Sequence, residues 1–182
     1  MLEQDRRRFP PVPAALKDGR VVVIRHIAGE DADAFADFYE AIPRADVRFY
    51  CPHPLTRERA AEEAAAADHP FRVRLVAVDD GGVIAGCAHY GWRDAESPAG
   101  GFGICCRRGY QGCGLGRALM TRILEIAREV GPPLMYLTVQ KTNARAVALY
   151  QSMGFEIVRE QVRRAFDEFP AEPEYFMQRP TR

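Results

Sequence analysis

The chain has 182 residues, enough for one domain with a sizeable core, and its 47% hydrophobic and 27% charged residues are ordinary for a globular protein. A formal net charge of zero and a pI near 6.9 exclude a global electrostatic pull toward nucleic acid or anionic membranes. No apolar run approaches the roughly 20 residues that span a bilayer, and MLEQDRRRFPPVP lacks the apolar core of a signal peptide, so the expected location is the cytoplasm.

Residues 1–18 read as an extended arm ahead of a single domain over 19–182. Gly19–Ile27, rich in β-branched residues, reads as a strand. Phe35, Phe38, Tyr39 and Ile42 form one stripe of a helix that Pro43 helps to stop. Thr56–His69 is Ala- and Glu-rich and helical. Arg72–Val78 and Val83–Trp92 are strands around DDGG, a hairpin signal. Arg93–Gly101 reads as a loop and Phe102–Cys106 as a short strand. Leu115, Leu119, Ile123, Ile126 and Val130 then mark an amphipathic helix ending near Gly131-Pro132. Leu134–Val139 is a strand, and Asn143–Phe155 a helix with Asn143 as N-cap and Gly154 at its stop. Strands near Phe155–Arg164 and Glu174–Gln178 complete the chain. Hairpins and crossovers both occur, so an α/β domain with strands of mixed direction is expected.

Five cysteines (Cys51, Cys87, Cys105, Cys106 and Cys113) are odd in number and include no C-x-x-C, which points to free thiols. No two of His26, His53, His69 and His89 stand at helical ligand spacing, so no metal site is expected.

QGCGLG, Gln111–Gly116, lies between a strand and a helix start. It is not the dinucleotide fingerprint, because Arg117 stands where the third glycine is required, and it is not a P-loop, because Arg117-Ala118 replaces Lys-Ser/Thr. Its amides and the positive end of the helix dipole still suit a phosphate. Arg117, Arg107 and Arg108 could add charge. A turn needed only for chain reversal is the alternative reading.

The run GICCRRGYQGCGLGRALM resembles the acyl-CoA signature Q/R-x-x-G-x-G/A of the GNAT superfamily of N-acyltransferases, matched by Gln111, Gly114 and Gly116. Leu137–Phe155, with Asn143, Ala146, Leu149-Tyr150 and Gly154-Phe155, is similar to the next family segment. The resemblance covers residues 102–158 and implies an α/β (α+β) fold: a mixed, mostly antiparallel sheet of six to seven strands flanked by about four helices. It also implies acetyl-CoA as cosubstrate. Amides of Gln111, Gly112, Cys113, Gly114, Leu115, Gly116 and Arg117 would hold its pyrophosphate. The free edge of Ile104, Cys105 and Cys106 would pair with the pantetheine amides where the sheet splays. Asn143 would lie near the pantetheine arm and Tyr150 near the thioester sulfur.

The implied reaction is direct attack of a neutral amine on the thioester in a ternary complex. The amine, an alkylammonium near pKa 10, must lose a proton. Amides near Ile104–Cys106 would stabilise the oxyanion, and the Tyr150 hydroxyl would serve the leaving thiolate. Many family members place a glutamate ahead of the glycine loop, yet Ser97–Ile104 has no carboxylate. Glu96 and His89 are therefore candidate bases beside a water chain with Tyr90. Cys113 reads as a loop filler, since direct transfer needs no acyl-cysteine.

The acceptor is a primary amine, on a small molecule or a protein N-terminus or lysine. Phe49, Tyr50, Trp92, Phe166, Phe169 and Tyr175 are candidate pocket residues. Asp167, Glu168, Glu172 and Glu174 could attract a cation or form a solvated loop. A non-catalytic acyl-CoA sensor is the competing class: the missing glutamate favours it, while Tyr150 and Asn143 disfavour it. Nucleic-acid binding through Arg6–Arg8 and Arg107-Arg108 is disfavoured by the neutral charge. Neither nucleic acid nor membrane is an expected partner, and a homodimer is compatible with the reading.

Overall fold

In the computed structural model, which describes residues 3–50 and 53–182, the elements run α1 (Glu3–Arg6), β1 (Val12–Ala15), β2 (Val21–His26), α2 (Ala32–Glu40), α3 (Arg44–Val47), α4 (Arg57–Ala65), β3 (Arg72–Val78), β4 (Ile84–Gly91) and β5 (Ala99–Cys106). They continue with α5 (Leu115–Val130), β6 (Leu134–Gln140), α6 (Ala144–Ser152), β7 (Glu156–Arg163) and β8 (Glu172–Pro180). One sheet has the order β1-β2-β3-β4-β5-β6-β8-β7. Every neighbouring pair is antiparallel except β5 and β6.

The sheet has eight strands among the described residues rather than six to seven, because the N-terminal segment adds β1. Val12 and Ala14 pack against the core and Leu16 is buried. Pro13, which has no N–H to donate, is tolerated because β1 is an edge strand. Two single-turn helices, α1 and α3, raise the helix count from about four to six. β5 starts at Ala99 rather than Phe102, so the end of the expected loop is strand.

Helices cover both faces. On one, the fully buried Leu115, Leu119, Ile123 and Ile126 of α5 pack over Leu75, Ala88 and Tyr90. Burying each such aliphatic side chain contributes about 1.5–3 kcal/mol. On the other, Phe35, Phe38 and Tyr39 of α2 and Ala60 and Ala64 of α4 cover Val76, Ile84 and Cys87. Thr56 caps α4 by accepting from the Arg59 amide (3.2 Å). Cys87, Cys105, Cys106 and Cys113 are free thiols, and Cys51 lies outside the described residues. No helix among the described residues is long and apolar enough to cross a membrane.

Candidate active site

β5 and β6 pair through only three residue pairs, Ala99–Gly101 with Leu134–Tyr136. Past Gly101, β5 stays paired to β4, while β6 stays paired to β8. The side of Phe102–Cys106 that faces β6 therefore has no strand partner. Such an edge fits a ligand that brings its own amides. Rings of Phe102, Tyr150 and Phe155 cluster at the fork, with centroids 5.9–6.4 Å apart. Cys105 faces the α2 side and Cys106 the α5 side. Burial pushes the Cys105 thiol well up and the Cys106 thiol up to about 12, so neither is a ready nucleophile.

The glycine loop joins this edge to α5. Gly112 (φ +82°) and Gly114 (φ +96°) are left-handed, a conformation that favours glycine. Gly114 is the N-cap of α5 and offers no side-chain cap. The first-turn amides of Leu115, Gly116 and Arg117 thus have no intrahelical acceptor. Leu115 and Cys113 bury their side chains, and the Cys113 thiol donates to the Tyr110 carbonyl (3.0 Å). Gln111 ties the loop down, donating to the Cys106 carbonyl (3.2 Å) and accepting from Arg145 (3.4 Å). A Cβ on Gly116 would stand 3.3 Å from Leu149, so α5 and α6 approach closely there. The loop therefore presents backbone to an anion. Asn143 caps α6, its Oδ1 accepting from the Ala146 amide (3.3 Å), and it lines neither of the cavities described below.

The three arginines expected to charge this loop point elsewhere. Arg107 donates to the Ile84 carbonyl and lies over Phe38; Arg108 pairs with Asp46; Arg117 binds Ser152 and Met153. Each finds a nearer acceptor on a packed neighbour. The basic side chains beside the loop are instead Arg145, whose Nη2 is 3.1 Å from a Cβ placed on Gly112, and Lys17, whose aliphatic stem passes 3.7 Å from one on Gly114. The Lys17 amide donates to the Cys113 carbonyl (2.9 Å), which fixes the N-terminal segment there. No local sequence signal marks Lys17, because topology alone brings it to the loop.

Two adjoining cavities open at the fork. The smaller, about 190 Å³, is lined by Tyr150, Gly103, Ile104, Phe49, Tyr50 and Phe166 among others. The larger, about 390 Å³, shares His89, Phe102 and Thr138 with it. The Tyr150 hydroxyl has no hydrogen-bond partner among the described residues, and burial raises its pKa, so it stays protonated. His89 lines both cavities, its Nδ1 unpartnered. Burial, reinforced by Arg74, His53 and Arg72, pushes its pKa down to about 3. Glu96 is exposed in the β4–β5 turn and lines neither cavity, so the fold does not bring it to the site.

Sequence reasoning missed the floor of the larger cavity. Glu63, 3% exposed, accepts from Arg59 (2.6 Å), Arg72 (3.1 Å) and Arg74 (2.5 Å), with His53 at 3.7 Å. A signal existed: Glu63 shares the buried face of α4 with Ala60 and Ala64. Arg72 and Arg74 likewise alternate onto one face of β3.

The acidic run does not offer free charge. Asp167 and Glu168 pair with Arg44, Glu172 with Arg48 and Arg163, and Glu174 accepts from Gln161. Of the other expected pocket rings, Trp92 packs on Tyr90 (5.2 Å), Phe169 on Phe166 (5.2 Å), and Tyr175 lies under Lys141.

Residues 35–155 match the model of the acetyltransferase (GNAT) family. The L-amino acid N-acetyltransferase of Escherichia coli is 31% identical over 146 residues, 75% of this chain and 83% of that protein. The L-methionine sulfoximine/L-methionine sulfone acetyltransferase of Salmonella typhimurium is 31% identical over 86 residues, 43% of this chain and 48% of that protein. For it and its Pseudomonas counterparts, the chain spans about half the length of the curated relatives it matches. The crystal structure of the acetyltransferase of GNAT family from Streptococcus pneumoniae matches with a TM-score of 0.74 at 27% identity, covering 87% of this chain and 99% of that one.

Proposed function

Because the chain belongs to the GNAT acetyltransferase family, we propose that it is an N-acetyltransferase that moves the acetyl group of acetyl-CoA to a primary amine. The observation that carries this reading is the fork between β5 and β6, where an unpaired strand edge and Tyr150 line a cavity and the same edge runs on into the glycine loop and the N-terminus of α5. The relatives are named for free amino acids and for ribosomal protein alanine, so an amine acceptor is the shared chemistry. The free thiols support a reducing, cytoplasmic setting.

The residues present fit acetyl-CoA. Amides of Gly112–Arg117, with Lys17 and Arg145 beside them, would hold the pyrophosphate, while the Gln111 amide already donates to the Arg108 carbonyl (3.2 Å). The free edge of Gly103–Cys106 would hold the pantetheine. The thioester supplies an activated acyl group. Backbone N–H groups at the β5 edge would donate to the oxygen that gains charge. Tyr150, kept protonated by burial, would donate a hydrogen bond to the departing sulfur. His89, with a pKa near 3, cannot hold a proton taken from an alkylammonium near 10. Its role is to accept a hydrogen bond and align the amine or a water, and the proton leaves through water.

The test incubates the protein with ¹³C-acetyl-CoA and a panel of amines spanning free amino acids, peptide N-termini, lysine peptides and polyamines, with mass detection of labelled product. A labelled N-acetyl product is expected. Tight acetyl-CoA binding with no transfer to any amine would replace the enzyme by an acyl-CoA sensor.

A further inference from the structure

The larger cavity carries charge that acetyl transfer alone does not require. Its interior presents the guanidinium groups of Arg59, Arg72 and Arg74 against the single carboxylate of Glu63. Arg59 and Arg72 already neutralise Glu63, so Arg74 is not needed for that purpose. Arg74 is 7% exposed, and among the described residues its Nε and Nη1 have no hydrogen-bond partner. Buried, unsatisfied donors on a cation are costly and mark a position where a ligand completes the pairing. The smaller cavity adds Arg48 and Arg163, which share Glu172. The nearby carboxylates Asp167 and Glu168 are committed to Arg44.

Register fixes the geometry. Arg74 stands opposite His89 on β4, and His89 opposite Gly103 on β5. With neighbouring strands about 4.8 Å apart, the Arg74 and Gly103 backbones are separated by about 10 Å. That span, less the reach of the arginine side chain, suits an acceptor whose carboxylate and amine lie close together.

We propose that the acceptor is a small molecule with a carboxylate close to its amine, a free amino acid, and that Arg74, with Arg72 beside it, receives that carboxylate. This deepens, and rests on, the acetyl-transfer reading. A peptide N-terminus has a neutral amide where the carboxylate would be, a lysine side chain carries its amine far from any carboxylate, and a polyamine brings further positive charge. The same excess of positive charge disfavours an ammonium and so helps the bound amine to lose its proton. Among the described residues the carboxylate that lines this cavity, Glu63, is already held by three arginines.

The experiment compares the proteinogenic L-amino acids with their α-carboxamides, by kcat/KM from thiol release and by calorimetric binding to the CoA-loaded protein. At least one amino acid is expected to exceed its carboxamide by about tenfold or more, the scale of a lost charge-assisted hydrogen bond. In Arg74→Gln that ratio collapses toward one, with acetyl-CoA affinity as the check on folding. If the variant does not fold, the wild-type comparison still decides. Carboxamides or polyamines acetylated as well as, or better than, the acids would overturn the inference and leave the transferase reading intact. Acids that bind tenfold better than amides without being acetylated would support the carboxylate site and sink the transferase reading. No binding and no acetylation of any acid would overturn the inference.

Discussion

Tyr150 is the side chain on which the proposed chemistry depends most, because it belongs both to the core and to the lining of the smaller cavity. Tyr150→Phe keeps the packing on Phe102 and Phe155 and deletes only the donor. The expected result is a loss of about 100-fold in kcat, at the low end for a proton donor, with acetyl-CoA affinity unchanged by calorimetry. An unaltered kcat, with chemistry rate-limiting, would return Tyr150 to a packing role. Tyr150 and the loop amides were legible in the sequence because each sits in a contiguous motif. Lys17 and Arg145 at the loop were not, since each comes from a segment far along the chain; Glu63 and Arg74 left a signal in the buried faces of α4 and β3, but their pairing depends on how the two elements pack. His89 was legible as a candidate base, but the burial and neighbouring arginines that depress its pKa belong to the folded state.

β5 is the element in which sequence and structure diverge in an instructive way. The stretch Ala99–Gly101 looks like loop, yet it is strand, and glycines recur along β5 because neighbouring rings occupy the space side chains would take. A Cβ on Gly100 would overlap the ring of Tyr90, and one on Gly103 would overlap His89. Glycine here is a packing requirement that only cross-strand neighbours reveal. Gly100→Ala should therefore destabilise the protein by about 1–3 kcal/mol, as overpacking does, because Tyr90 is fully buried. Gly109→Ala, where nothing lies within 4 Å, is the control and should stay within about 0.5 kcal/mol. Urea unfolding of both variants tests this, and equal midpoints would refute the packing account. β1 diverged for a related reason: Val12, Ala14 and Leu16 alternate inward, but a short segment rich in proline carries little strand signal. The helical stripe of α5 and the DDGG hairpin were legible because each pattern is local.

At the scale of the whole molecule, net neutrality conceals cations gathered in the cavity at the fork, and the burial of two histidines sets a pH dependence. His26 and His89 are held neutral in the fold, at about 4 and about 3, chiefly by burial. Unfolded histidine titrates near 6.5. Between these values the unfolded chain binds more protons, so stability is full above pH 6.5 and is lost as pH falls toward 4. Denaturant unfolding from pH 7.5 to 4.5 should show that decline, with a shallower slope in His26→Gln; a flat profile would contradict it. The central claim is that the fork between β5 and β6 is the acetyl-CoA cradle. Its most direct test is a crystal structure of the protein with a non-transferable acetyl-CoA analogue. The pyrophosphate is expected on the amides of Gly112–Arg117, the pantetheine amides on the free edge of Gly103–Cys106, and the sulfur beside the Tyr150 hydroxyl. An analogue bound elsewhere, or a fork closed by pairing of β5 with β6, would contradict it.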